Sequence, residues 1–289
     1  MKISKLAGIG LTALLMTVSM GARAADGGAC MPGIQSAGEL KVGVGIMGLK
    51  PWVWQEQDGS YHGLEKDILD FVAQDIGIPK TQYVVTEWST LIPGLKAGRW
   101  DIVLSAMTKT QQRMQDGGVV FSDPYFMYND RLIVLKDSKY QQPADLKGKP
   151  VASVMGSMDS LVAHDLEEKG EVGQVLDFNN FGEPFQALRN GQVQAVVLDQ
   201  ATLLGQMSGN TDLRVIGDPL YYVPGEEWRA AEDKADYRLG AVGIAVRPEC
   251  TDLLAALNKA VAKLESTGKR KEILERYGLW DESQVKLMK

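Results

Sequence analysis

Apolar residues along this chain recur in two rhythms that take turns. Short apolar or alternating runs at 40–45 (LKVGVG) and 82–88 (QYVVTEW) predict strands. Between them, residues 64–77 space Leu64, Ile68, Phe71, Val72 and Ile76 onto one helical face, and Gly77 marks the stop. Residues 89–98 (STLIPGLKAG) predict a helix capped by Ser89, with Pro93 in its first turn and Gly98 at its end. The strand 101–105 (DIVLS) follows. A second series starts near residue 131, with strands RLIVLKD, PVASVMG, QVLDF, QAVVLD and LRVIG and helices at 160–170 and 184–191. After a last apolar strand (AVGIAVRP, 241–248), Leu253, Leu254, Leu257, Val261 and Leu264 line one face of a long helix closed by Gly268. A shorter helix, 269–278, comes next. Strands and helices alternating this way predict an α/β protein. With no low-complexity linker and no internal repeat, any boundary between units must run through ordered strands.

The first 24 residues stand outside this pattern. Lys2 and Lys5 precede an apolar run, and Ala22 and Ala24 place small residues after it, which is the order of a secretory signal peptide cleaved after Ala24. A membrane anchor is the competing reading, but the run is short for a bilayer span. Cys30 follows GGA rather than the leucine-like residue of a lipid-attachment signal. Loss of the leader leaves 265 of 289 residues, enough for two lobes, and moves the formal charge from −6 to −9. So acidic a chain is not expected to bind nucleic acid or an anionic membrane. In an oxidising compartment Cys30 and Cys250 could form one disulfide, or remain two separate thiols.

Little of the chain reads as catalytic. GVGIMG (43–48) matches a dinucleotide fingerprint, yet the residues after it (LKPWVW) open no helix, so the glycines are not expected to hold a pyrophosphate. His62 and His164 stand alone and make no metal spacing, and no cofactor is expected. More informative is SAMTKTQQR (105–113), which puts Ser105, Thr108 and Arg113 where a strand turns toward a helix. A guanidinium offers a planar fork for a carboxylate, and a helix start favours an anion.

Several phrases then fall in order: GLEKDIL (63–69), EWSTLIPGLKAGRWDIVLSAMTKTQQR (87–113), FSDPYF (121–126), DLKGKPVASVMGS (145–157), ALRNGQVQAVVLD (187–199) and residues 243–278. Together they resemble the periplasmic solute-binding proteins of amino-acid ABC transporters, of the polar amino-acid type (family 3), over about Leu40 to Gly278. The resemblance implies a type II periplasmic binding protein fold: two α/β lobes, two crossover strands and a ligand cleft between. It implies lobe 1 as 26–126 plus 241–289 and lobe 2 as 127–240, with 221–240 longer than the usual return. It makes Arg113 the carboxylate clamp, with Ser105 and Thr108 as hydroxyl partners, and Asp199 the receiver of the ligand's ammonium, although an N-cap is the commoner role for such an aspartate. Gly156 and Ser157 match the lobe-2 turn that also reaches the carboxylate. Met158 replaces a frequent threonine there and makes the pocket more apolar. Trp88, and Trp52 beside it, are candidates for the wall against the ligand's side chain. Asp123 reads as structural, before Pro124, and Asp67 lies on the helix flanking the cleft. GIMGLK carries no acid, which hints at a neutral side chain, whereas Lys50 would favour an acidic one.

The function so implied is a monomeric, non-enzymatic periplasmic protein that hands an amino acid or close derivative to a membrane permease. A dehydratase acting on prephenate-like acids on the same fold, or a sensor feeding a membrane receptor, are the alternatives. A general acid near Asp199 would favour the first of these.

Overall fold

The computed structural model describes residues 29–208 and 212–289; the leader expected over 1–24 lies outside them. Two five-stranded sheets organise the chain. In the first, the order is Thr81–Val85, Leu40–Val44, Ile102–Val103, Ala245–Val246, Val120–Phe121. Its first three strands run parallel, and Ala245–Val246 is antiparallel to both its neighbours. In the second, the order is Val175–Phe178, Val151–Val154, Ala195–Asp199, Asp130–Leu135, Leu213–Leu220, again parallel and then antiparallel. The chain passes between the sheets at Phe126–Met127 and Ala241–Val242, which pair antiparallel as Met127 with Ala241 and Phe126 with Val242. These are the two crossover strands of a two-lobed α/β protein. Parallel strands direct ligand sites to their carboxyl ends, and the segments carrying Trp88, Ser105, Gly156 and Asp199 each follow or finish such an end.

The helical faces pack as their periodicity predicts. Leu64, Ile68 and Val72 of Leu64–Asp75 are buried, as are Leu253, Leu257, Val261 and Leu264 of Thr251–Ser266. Asp67 faces outward across this seam, accepting from Arg276 Nη1 at 2.7 Å and from the Tyr277 hydroxyl at 3.0 Å. Ser89 caps no helix: it lies inside a 3-10 turn, Trp88–Thr90, and the α-helix begins only at Leu91. The turn tips Trp88 out of the strand rhythm and toward the other lobe. Asp123 donates its backbone N–H to Asn258.

Two features tie down the first lobe. Cys30 and Cys250 form a disulfide, and both carboxylate oxygens of Asp252 accept backbone N–H groups, from Cys30 at 2.8 Å and Met31 at 2.9 Å. The segment after Leu213–Leu220 returns to the first lobe as the helix Glu226–Lys234, which packs against Gln111–Gln115. Glu232, 1% exposed, accepts the Gln111 backbone N–H at 2.7 Å and the Tyr237 hydroxyl at 2.8 Å. No helix among the described residues is long and apolar enough to cross a membrane.

Candidate functional site

On the first lobe the site grows from the end of Ile102–Val103. Ser105, fully buried, accepts the Gly45 backbone N–H at 3.0 Å and so fastens two strand ends together. Ala106 then adopts a left-handed backbone, φ 51°, costly for a residue with a Cβ. Glu65 holds it there: its Oε1 accepts the Ala106 N–H at 2.5 Å and the Tyr125 hydroxyl, while Oε2 is buried without a partner. Burial raises the Glu65 carboxyl to about 7. Past this turn, Thr110 caps the helix Gln111–Gln115 through the Arg113 N–H, 3.1 Å. Arg113 curls back so that Nη1 donates to the Thr108 carbonyl at 2.7 Å and to the Thr108 hydroxyl. A guanidinium has five N–H donors, so the fork is positioned by its own turn with donors to spare. Burial lowers the Arg113 pKa to about 10, which leaves it charged at neutral pH.

On the second lobe the site is carboxylic. Asp199 ends its strand and caps Gln200–Met207, accepting the Thr202 N–H at 2.8 Å, so the capping role is real. Asp130 lies directly opposite Asp199 in the antiparallel ladder, which puts both side chains on one face. The neighbouring helix Met158–Glu168 adds Asp159, whose two oxygens accept the Tyr128 hydroxyl at 2.9 and 3.1 Å. The three aspartates are 2%, 1% and 0% exposed, respectively. Burial, then the Asp159 charge, pushes Asp199 up to about 7; burial and Asp159 push Asp130 well above the carboxylate range. Asp130 Oδ1 has no hydrogen-bond partner.

The lobes meet over this ground. Trp88 Nε1 and Arg113 Nη2 both donate to the Gly156 carbonyl, at 3.1 and 3.2 Å, and Trp52 Nε1 donates to Thr202 Oγ1 at 3.2 Å. Gly156 has φ 74°, so the turn that aims its carbonyl suits glycine. Trp88 meets Phe181 edge-on at 5.4 Å between ring centres, and Trp52 stacks on Tyr128 at 6.4 Å. The cleft opens beside Ile46, Leu49, Phe181 and Gln206, in a space of about 300 Å³.

Of the residues singled out from sequence, Ser105, Thr108, Arg113, Trp88 and Trp52 belong to segments around the first sheet and Gly156, Ser157, Met158 and Asp199 to segments around the second, and hydrogen bonds from Trp88 and Arg113 to Gly156 and from Trp52 to Thr202 join the two sets. The Ser157 hydroxyl caps its helix by accepting the Ser160 N–H at 3.1 Å, and the Gly156 carbonyl accepts from Trp88 and Arg113. Met158 is buried as the first helical residue. Lys50 sits over the Trp54 ring, 4.9 Å away. Sequence reasoning missed Glu65, Tyr128, Asp130 and Asp159. It also missed Tyr222, buried and close enough for the Arg113 charge to act on its hydroxyl. His164 is elsewhere, held by Glu167 and Asp177 at 2.9 Å each. No group of His, Cys, Asp and Glu among the described residues is arranged to hold a metal ion.

Two α/β lobes on crossing strands, closed over a guanidinium on one side and carboxyls on the other, define a two-lobed ligand-capturing protein. The chain belongs to the bacterial extracellular solute-binding proteins, family 3, whose sequence profile matches residues 40–279. It is 30% identical to the ABC transporter glutamine-binding protein GlnH of Bacillus subtilis, over 96% of this chain and 97% of that one. Among solved structures it resembles an ancestral arginine-binding protein bound to glutamine, with 28% identity, a TM-score of 0.70, and 84% and 99% of the two chains covered. It also resembles the ancestral amino acid-binding protein AncCDT-1, described as a precursor of cyclohexadienyl dehydratase, at 25% identity, TM-score 0.69 and 86% and 98% coverage.

Proposed function

We propose that this protein captures an α-amino acid, or a close derivative, outside the cytoplasm and delivers it to an ABC importer. The leader 1–24 would be removed on export, and the protein would act as a monomer with 26–126 plus 241–289 and 127–240 as its two working halves, the stretch from Glu226 of the latter packing back against the former. The observation that supports the reading is the meeting at Gly156: Arg113 and Trp88 of the first lobe donate to the carbonyl just before the helix of Asp159 on the second, and the Asp159 charge acts on Arg113. The Arg113 fork takes the ligand's carboxylate with Ser105 and Thr108 around it, and Asp199 takes its ammonium. Trp88 and Trp52 wall the side chain. A ligand that touches both lobes stabilises the closed state by its differential affinity for it, and the permease reads that state. A thermal-shift screen of the purified protein against the amino acids tests this; stabilisation by none of them would remove it.

One observation favours a second reading, a dehydratase. Asp130 lies opposite Asp199, and burial with the Asp159 charge raises its pKa well above the carboxylate range, the direction a general acid needs. Turnover of prephenate-like acids by the purified protein would establish that reading, and its absence retires it.

A further inference from the structure

The second lobe holds more carboxyl groups than one ammonium can use. Asp130, Asp159 and Asp199 converge from two strands and a helix, all nearly fully buried. Their surroundings bring no lysine or histidine: Asp130 is acted on by burial, by Asp159, with which it shares a hydrogen bond, and by Asp199, while Asp199 is acted on by burial, by Asp159 and by donors from Thr202 and Tyr128. Arg113, from the first lobe, interacts with Asp159 alone among the three and balances one carboxylate. An α-amino acid zwitterion adds no net charge. Its ammonium has three donors, and one carboxylate partner suffices to hold it. Asp130 would then still carry an orphaned Oδ1 in the interior, and buried polar atoms without partners are strongly disfavoured.

We propose, building on the capture reading above, that the ligand is a short diamino acid, with a second basic nitrogen one or two carbons from its α-amino group, reaching Asp130 and Asp159 while the first engages Asp199. Side chains directly opposite in an antiparallel ladder start about 5 Å apart, so two nitrogens on adjacent or next-adjacent carbons match the spacing of Asp130 and Asp199. The ε-nitrogen of lysine and the guanidinium of arginine lie too far from the α-nitrogen to serve the same three carboxyls. Towards that far end the walls are Trp88, Phe181, Ile46 and Leu49, which offer no charge.

Calorimetry on the wild-type protein at pH 8 compares 2,3-diaminopropionate and 2,4-diaminobutyrate with alanine, glutamine, lysine and arginine. The expected result is at least about tenfold tighter binding of a short diamino acid than of the others, the worth of one further charged hydrogen bond. Asp130→Asn is expected to bring the short diamino acids to within about threefold of alanine. If that variant does not fold, the wild-type ranking alone decides. Equal or tighter binding of alanine, glutamine, lysine or arginine overturns the proposal and leaves amino-acid capture standing. Binding of no α-amino acid at all removes both.

Discussion

The two halves of the cleft are built on opposite plans. On the first lobe each polar group is positioned by a near neighbour: Ser105 by Gly45, Ala106 by Glu65, Arg113 by Thr108. On the second lobe, Asp130, Asp159 and Asp199 crowd one another, and one oxygen is left without a partner. Apart from Glu65 Oε2, the polar groups of the first half's turn are held by fixed neighbours, so this half can take the ligand at little reorganisation cost. A crowded half gains from closing over positive charge. This contrast supplies differential affinity for the closed state, without which a ligand shifts no population.

Removing the fixed charge of the ready half should have the largest effect. Arg113→Ala is expected to abolish measurable binding of the amino acid, since loss of a charged, hydrogen-bonded partner in a closed site costs about 2–5 kcal/mol. Its thermal midpoint without ligand should change little. Calorimetry and circular dichroism check the two halves of that statement, and normal affinity would remove Arg113 from its role as clamp.

The rigidity of that half can be tested apart from its chemistry. The Cys30–Cys250 disulfide closes the N-terminal arm onto Thr251–Ser266, and a native disulfide contributes about 2–5 kcal/mol in comparable cases. Cys250→Ser should lower stability to denaturant by that order, while the affinity of the folded protein stays within about twofold. A large loss of affinity would mean that the staple shapes the cleft as well as the lobe.

The contrast also explains what was legible beforehand. Arg113 and Asp199 were visible because each sits in a contiguous phrase whose residue types state the chemistry: hydroxyls with a guanidinium, and a strand ending in an acid. Asp130 was not, because its meaning lies in the register that sets it opposite Asp199, and register is a property of pairing between distant segments. Asp159 resembled any acid in the first turn of a helix, where the dipole favours one. Glu65 stood in a phrase that drew attention to Asp67, yet Asp67 serves the outer seam with Arg276 while Glu65 supports the site. The alternation of strands and helices was legible throughout. The long return at 221–240 was not, since its helix is polar on most sides and is held by Glu232 and Tyr237 rather than by an apolar stripe.

The crowded half should announce itself in pH dependence. Asp199 near 7 faces Asp130, Asp159, Tyr128 and Thr202 on its own lobe, and Glu65 with Tyr125 across the cleft. An ammonium needs the ionised Asp199, so below about pH 7 a proton must leave for ligand to bind. Affinity should rise by up to about tenfold per pH unit toward 7 and level off above it. Stability without ligand runs the other way. Asp199 and Glu65 keep protons in the folded state that the unfolded chain loses near pH 4, so apo stability should fall as pH rises from about 4 to 7. Calorimetry and thermal melts between pH 5 and 8.5 separate the two slopes. A single common slope would show that the carboxyls do not answer to the ligand.

The smallest effect concerns the seam where the halves meet. Trp88 Nε1 donates to the Gly156 carbonyl from the opposite lobe, so this bond exists only when the lobes are together. Trp88→Phe keeps an aromatic face against Phe181 and removes the donor. Arg113 Nη2 still donates to that carbonyl, so the acceptor is not orphaned and the loss is that of one neutral hydrogen bond, about 1 kcal/mol. Ligand affinity should weaken about fivefold, almost wholly through faster release, because the open form that meets the ligand does not make the bond. Stopped-flow fluorescence following the remaining tryptophans reads both rates. An equal change in the association rate would mean that Trp88 already touches the second lobe before closure, and the ready half would then be less independent of its partner than its hydrogen bonds imply.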